Sequence, residues 1–168
     1  MFRVNNWIIL SLFLTLSLCL SQAFALSTDK DQPVNIEADS VDIDEAKETA
    51  IYRGSVIVTQ GSINLAADEV IVYKFQSNDP YVVATGNLVK FSQLPDNETV
   101  RIKGRSLKAE YGLNSAKLEL TGKAVLVKGK NTFKNDRIIY DREKAIVKAG
   151  TSAKGKERVK ITIGPAKK

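Results

Sequence analysis

Carboxylates are the side chains whose recurrence in this sequence could do chemistry: an apolar-x-Ala/Asn-acid element ends at Asp39, Asp68, Glu110 and Asp136. Two of them converging in a cleft, Asp39 and Asp68 for instance, would equip a carbohydrate-active enzyme of jellyroll type. One carboxyl would donate a proton and the other act as base or nucleophile. Their position argues otherwise. Each acid lies just past an inward-facing residue, so its side chain points outward or into a turn, where a carboxylate accepts hydrogen bonds from backbone N–H groups. Other designs lack parts. The chain has no histidine and a single cysteine, Cys19, which removes Ser-His-Asp and Cys-His nucleophiles and Cys/His zinc sites. No glycine loop ending in Lys-Ser/Thr is present to cradle a nucleotide phosphate. Neither an enzyme nor a metal or other cofactor is expected.

The elements that carry these acids are strands. From Val34 to Ile163 apolar and polar residues alternate, with turn residues at roughly every ten positions. The nearest approach to a helix, "DSVDIDEAKETA", alternates at Val41 and Ile43 and reads as strand followed by a turn over Asp44–Lys47. One phrase recurs: Gly54, Gly61 and Asp68 align with Gly122, Gly129 and Asp136, and an aromatic closes each copy, Tyr73 and Tyr140. A looser copy runs from Gly86 through Leu88–Phe91 and a longer Pro95 loop to Leu107–Tyr111, and Ile36–Asp39 is a half copy. Repeats of roughly 30 residues, each a strand pair unable to bury its apolar face alone, stack into a rolled antiparallel sheet with one continuous lining.

Strand parity assigns that lining. Val34 and Ile36, Val56 and Val58, Ile63 and Leu65, Leu107 and Tyr111, Leu118 and Leu120, and Ile138 fall on inward positions. At Gly86 the parity breaks, and a bulge there keeps Phe91 inward. Such an aliphatic surface suits an ordinary packed core. It equally suits a gap holding something aliphatic, because no helix covers the apolar face and large fillers are few, with six Phe and five Tyr.

The start of the chain is an address. A basic end at Arg3, an apolar run from Trp7 to Leu20 and the small residues of Ala23-Phe24-Ala25 form a bacterial signal peptide over residues 1–25, leaving 26–168 as one domain. An uncleaved membrane anchor is the competing reading. Lipidation at Cys19 is disfavoured by the bulky Leu18 before it. Without Cys19 the exported chain has no disulfide to form. The net charge of +6 suits anionic partners but is common in secreted proteins.

"DQPVNIEADS", "YRGSVIVTQGSINLAADEVIVY", "LTGKAVLV" and "RVKITIGP", in that order, resemble the OstA-like family of periplasmic lipopolysaccharide-transport proteins. The likeness spans Asp31 to Pro165. It implies a single-domain antiparallel β-jellyroll, open along a seam, whose interior takes the acyl chains of lipopolysaccharide. It also implies head-to-tail self-association, and bridging between an LptC-like inner-membrane-anchored protein and an LptD-like outer-membrane translocon; nucleic acid is not an expected partner. The inward residues named above then become the expected lipid-binding interior. Sheet ends expose unpaired backbone groups. The expected assembly contact is therefore edge to edge, with Arg158, Val159, Lys160, Ile161 and Ile163 docking against a Pro33 and Asn35 edge of another copy or of a partner with the same roll. The alternative is a structural periplasmic β-protein that assembles through its edges and carries no lipid.

Overall fold

Long alternating stretches, each closed by a tight turn, pair in chain order into one antiparallel sheet. The computed structural model describes residues 29–77, 80–96, 98–142, 144–150, 154 and 157–165; the expected signal peptide and Cys19 lie outside them. The strands are β1 (Val34–Glu37), β2 (Ser40–Asp44), β3 (Thr49–Gln60), β4 (Ile63–Tyr73), β5 (Tyr81–Gln93), β6 (Ile102–Gly112), β7 (Lys117–Lys128), β8 (Asn131–Asp141), β9 (Ile146–Ala149) and β10 (Lys160–Thr162). The sheet runs β1-β3-β4-β5-β6-β7-β8-β10, with β2 also on β3 and β9 also on β8. The described residues contain a 3-10 turn at Asp29–Asp31 and no α-helix. Gly61 (φ 56°) and Gly129 (φ 60°) take the first central position of two-residue hairpins closed by Gln60–Ile63 and Lys128–Asn131. That is the type II′ geometry, which glycine adopts without strain.

Every pair of long strands loses register once, and the breaks fall in line: Arg53/Val56, Ala66/Glu69, Thr85/Val89, Arg105/Lys108 and Thr121/Ala124. Bulges bend strands. A line of them therefore creases the sheet into two leaves. Leaf A holds β1, the hairpin ends at Gly61 and Gly129, and β10; leaf B holds β2, the opposite ends of β3–β8, and β9.

The repeated acids mark this crease. A Cβ added to Gly54 would meet the Asp39 carboxylate at 2.1 Å, and one added to Gly86 would meet Asp68 N at 3.0 Å. Asp68 Oδ2 accepts a hydrogen bond from Asn87 N at 2.7 Å, the turn-stabilising role expected of it. In the third unit the corresponding contact is apolar: a Cβ on Gly122 would meet Leu107 at 3.1 Å. Leu107 thus stands where its sister units carry aspartate. The unit is in phase over Gly104–Leu107, not Leu107–Glu110, and Leu107 lies on the outside with 38 % of its surface exposed. Its expected inward position is a miscount caused by the bulge between Arg105 and Lys108.

The leaves enclose a core of Val56, Val70, Ala84, Val89, Ile102, Leu118, Leu120, Leu126, Ile138 and Tyr140. At the turn end of leaf A, Asp29 is buried and accepts hydrogen bonds from Ser62 N (2.6 Å), Ser62 Oγ (2.9 Å) and Gln93 Nε2 (2.7 Å). These bonds strap the start of the domain to two turns.

Candidate functional site

Toward β1 and β2 the leaves part, and their inner side chains no longer meet. Val34, Ile36 and Val58 of leaf A face Ile43, Ala50, Tyr52, Val70, Val72 and Val82 of leaf B across a cavity of about 260 Å³. Phe75, Pro80 and Leu113 close its end from the loops. A second space of about 110 Å³ continues inward past Ile63, Leu65, Phe91, Tyr111 and Leu118. Val34, Val58, Val82 and Leu113 line both, so the two form one trough. Its walls are almost wholly hydrocarbon.

Among the lining residues the polar side chains Gln60 and Arg142 belong to the inner space, and Tyr52 brings a hydroxyl to the outer one. Arg142 donates a hydrogen bond to the Tyr111 hydroxyl and lies 5.7 Å from the centre of the Tyr111 ring, within cation–π reach. The trough mouth is open: Val34 is 53 % and Ile43 59 % exposed. None of the acids Asp39, Asp68, Glu110 or Asp136 lines either space.

The expected interior residues divide. Val34, Ile36, Val58, Ile63, Leu65, Phe91, Tyr111 and Leu118 line the trough. Val56, Leu120 and Ile138 face inward too, but they are packed solid, with no exposed surface, and Leu107 is outside. Phe91 keeps its inward place because β5 shifts register between Thr85 and Val89. Five of the trough residues beyond that set have one of two origins. Val70 and Val72 follow the break in β4, after which even-numbered residues face inward where Ile63 and Leu65 did before it. Phe75, Pro80 and Leu113 sit in connections, where alternation carries no signal.

The expected assembly segments lie at opposite ends of the strand order. Asn35 sits in β1 with Pro33 just before it, while Lys160 and Ile161 sit in β10, with Arg158 and Val159 before it and Ile163 after it. Strand structure covers Lys160–Thr162 of the longer alternating stretch. Among the described residues, β1 pairs only with β3 and β10 only with β8. Ile161 is 54 % and Ile163 77 % exposed.

A creased antiparallel sheet closed around an aliphatic trough is the open β-jellyroll class of binding scaffold. Residues 35–146 match the family model described as LptA/(LptD N-terminal domain) LPS transport protein, and the chain belongs to that family. It is 32 % identical to the lipopolysaccharide export system protein LptH of Pseudomonas aeruginosa, covering 99 % of this chain and 98 % of that one. The crystal structure of LptH from Pseudomonas aeruginosa superposes with a TM-score of 0.75 at 29 % identity, over 83 % of this chain and all of that one. The LPS-assembly protein LptD of Vibrio cholerae is 39 % identical over 89 residues, 53 % of this chain and 10 % of that protein.

Proposed function

We propose that the chain carries lipopolysaccharide across the periplasm, holding its acyl chains in the trough between the leaves while the phosphorylated sugars stay at the wet mouth. The trough carries this reading. Leaving one acyl chain of about a dozen carbons in water costs on the order of 10 kcal/mol, at about 0.8 kcal/mol per methylene. A water-filled compartment is crossed cheaply only along a continuous apolar surface. Val34, Ile36, Val58, Ile63, Leu65, Phe91, Tyr111 and Leu118 supply one. The role asks for binding and release and no bond-breaking step, so the protein is not an enzyme. A cleaved leader over residues 1–25 would deliver it to the periplasm.

Bridging follows from the edges. Pro33 and Asn35 at one end, and Arg158, Val159, Lys160, Ile161 and Ile163 at the other, present unlike surfaces. Pairing one with the other is heterologous and extends the trough from copy to copy. The likeness to part of an LptD supports the same contact with an LptD-like translocon, and an LptC-like protein would take the other end. Photocrosslinking tests the cargo: a light-activated residue at Ile36 or Phe91 forms lipopolysaccharide adducts in cells, and one at the outward Glu37 does not. Folded protein without adducts at both inward sites would leave a bridging protein with no lipid in it.

A further inference from the structure

The outer faces of the two leaves treat their cations differently. On leaf B the cations that stand beside an acid are answered: Arg53 by Asp42 and by Glu69 at 3.1 Å, Lys108 by Glu110 at 2.9 Å, and Arg137 by two hydrogen bonds of 2.6 Å to Glu119, while Lys117 and Lys148 are exposed singly, with no second cation paired opposite them. On leaf A one cross-strand row reads Glu37, Ile57, Ala66, Lys90, Arg105, Val125, Lys134, Lys160. Lys90 stands directly opposite Arg105, and Lys134 opposite Lys160. Like charges in that position destabilise a sheet. No ion pair relieves them among the described residues; the row's one acid, Glu37, is set apart by Ile57 and Ala66.

The middle of this row, Ile57 to Lys134, lines a concave outer groove of about 710 Å³, the largest of the cavities described, on the outward side of leaf A. Ile57, Ala66, Val125 and Val127 make its floor apolar; Lys90, Lys103, Arg105 and Lys134 surround it, and no acid lines it. The volume is that of a small-molecule site. Concavity favours one molecule over a flat bilayer, the floor favours hydrocarbon, and unneutralised lysine and arginine favour phosphate.

We propose that this groove binds a single anionic glycerophospholipid, its phosphate on the Lys90–Arg105 pair and an acyl chain along the valine floor toward Lys134. Leu65 and Phe91 line both this groove and the inner space of the trough, so the two back onto each other across leaf A; the proposal does not rest on lipopolysaccharide binding.

The test is methyl NMR of the folded protein titrated with dihexanoyl phosphatidylglycerol, dihexanoyl phosphatidylcholine or inorganic phosphate. Phosphatidylglycerol shifts the Ile57, Val125 and Val127 methyls, and its affinity falls roughly tenfold or more when Lys90→Gln, Arg105→Gln and Lys134→Gln are combined. The equal-charge control of Lys117→Gln, Lys144→Gln and Lys148→Gln leaves it unchanged. Equal loss in the control, equal shifts with phosphatidylcholine, phosphate binding as tightly as the lipid, or shifts confined to trough methyls such as Val58 and Val72 would each overturn the proposal.

Discussion

The β1–β5 side and the β6–β8 side of the roll are built from the same repeated unit and end differently. Around Leu120, Leu126 and Ile138 the leaves interdigitate and leave no exposed surface. Around Val34, Ile36 and Ile43 they stand apart. Side-chain size and edge length decide between the two. Tyr140, Ile102 and Leu126 span the gap on the filled side. On the open side β1 and β2 are short edge strands: Ile36 packs against the core, while Val34, Val41 and Ile43 stay at least half exposed. A single sheet can thus be both a stable core and a binding surface, provided the stabilising contacts are concentrated at one side.

The strongest test of that division is truncation on both sides. Leu120→Ala leaves a cavity in a site that cannot collapse and is expected to cost about 2–5 kcal/mol in urea denaturation. Val58→Ala on the trough wall should cost about 1 kcal/mol or less while weakening lipopolysaccharide crosslinking at Ile36. Comparable destabilisation by the two would show that the trough is closed core.

Next in size is the crease that serves both sides. Gly122→Ala forces a φ of 75° on a residue with a Cβ and presses it on Leu107; a loss of about 1–2 kcal/mol is expected. Leu107→Ala, which removes the Cγ and Cδ1 contacts and keeps the Cβ at 3.1 Å, should recover part of the steric cost and leave the backbone part. Full recovery would mean that the positive φ is not needed.

A smaller effect sharpens the filled side alone. Burial holds the Tyr140 hydroxyl above the ordinary tyrosine pKa, against the pull of Lys128 and Arg142. The folded state therefore favours the protonated phenol. Its contribution is whole below about pH 10, where unfolded tyrosine titrates, and is lost as pH rises toward the raised folded value. Tyr140→Phe should flatten the alkaline limb of a stability–pH curve; an unchanged limb would assign that limb to other groups.

Much of this architecture is legible in the residues, and its failures share one cause. Alternation and the spacing of Gly54, Gly61, Gly122 and Gly129 point to stacked hairpins with a common lining, and Gly86 betrays the bulge that returns Phe91 inward. Parity counting then fails wherever a bulge leaves no mark in composition. Parity places Leu107 inward because the break between Arg105 and Lys108 contains no glycine, and leaves Val70 and Val72 unassigned for the same reason in β4. The Asp29 strap was equally hidden, since its partners Ser62 and Gln93 are distant in sequence and polar residues of that kind are common in turns.

The strand order has a kinetic meaning as well. From β3 to β8 every strand pairs with the one that follows it, so each pairing is a hairpin of neighbouring segments and loop closure is short. All-β chains fold slowly when their contacts are remote in sequence; a meander escapes much of that delay. A chain that enters its compartment unfolded, N-terminus first, can build this roll one hairpin at a time from whichever pair forms first, without waiting for its C-terminal strand.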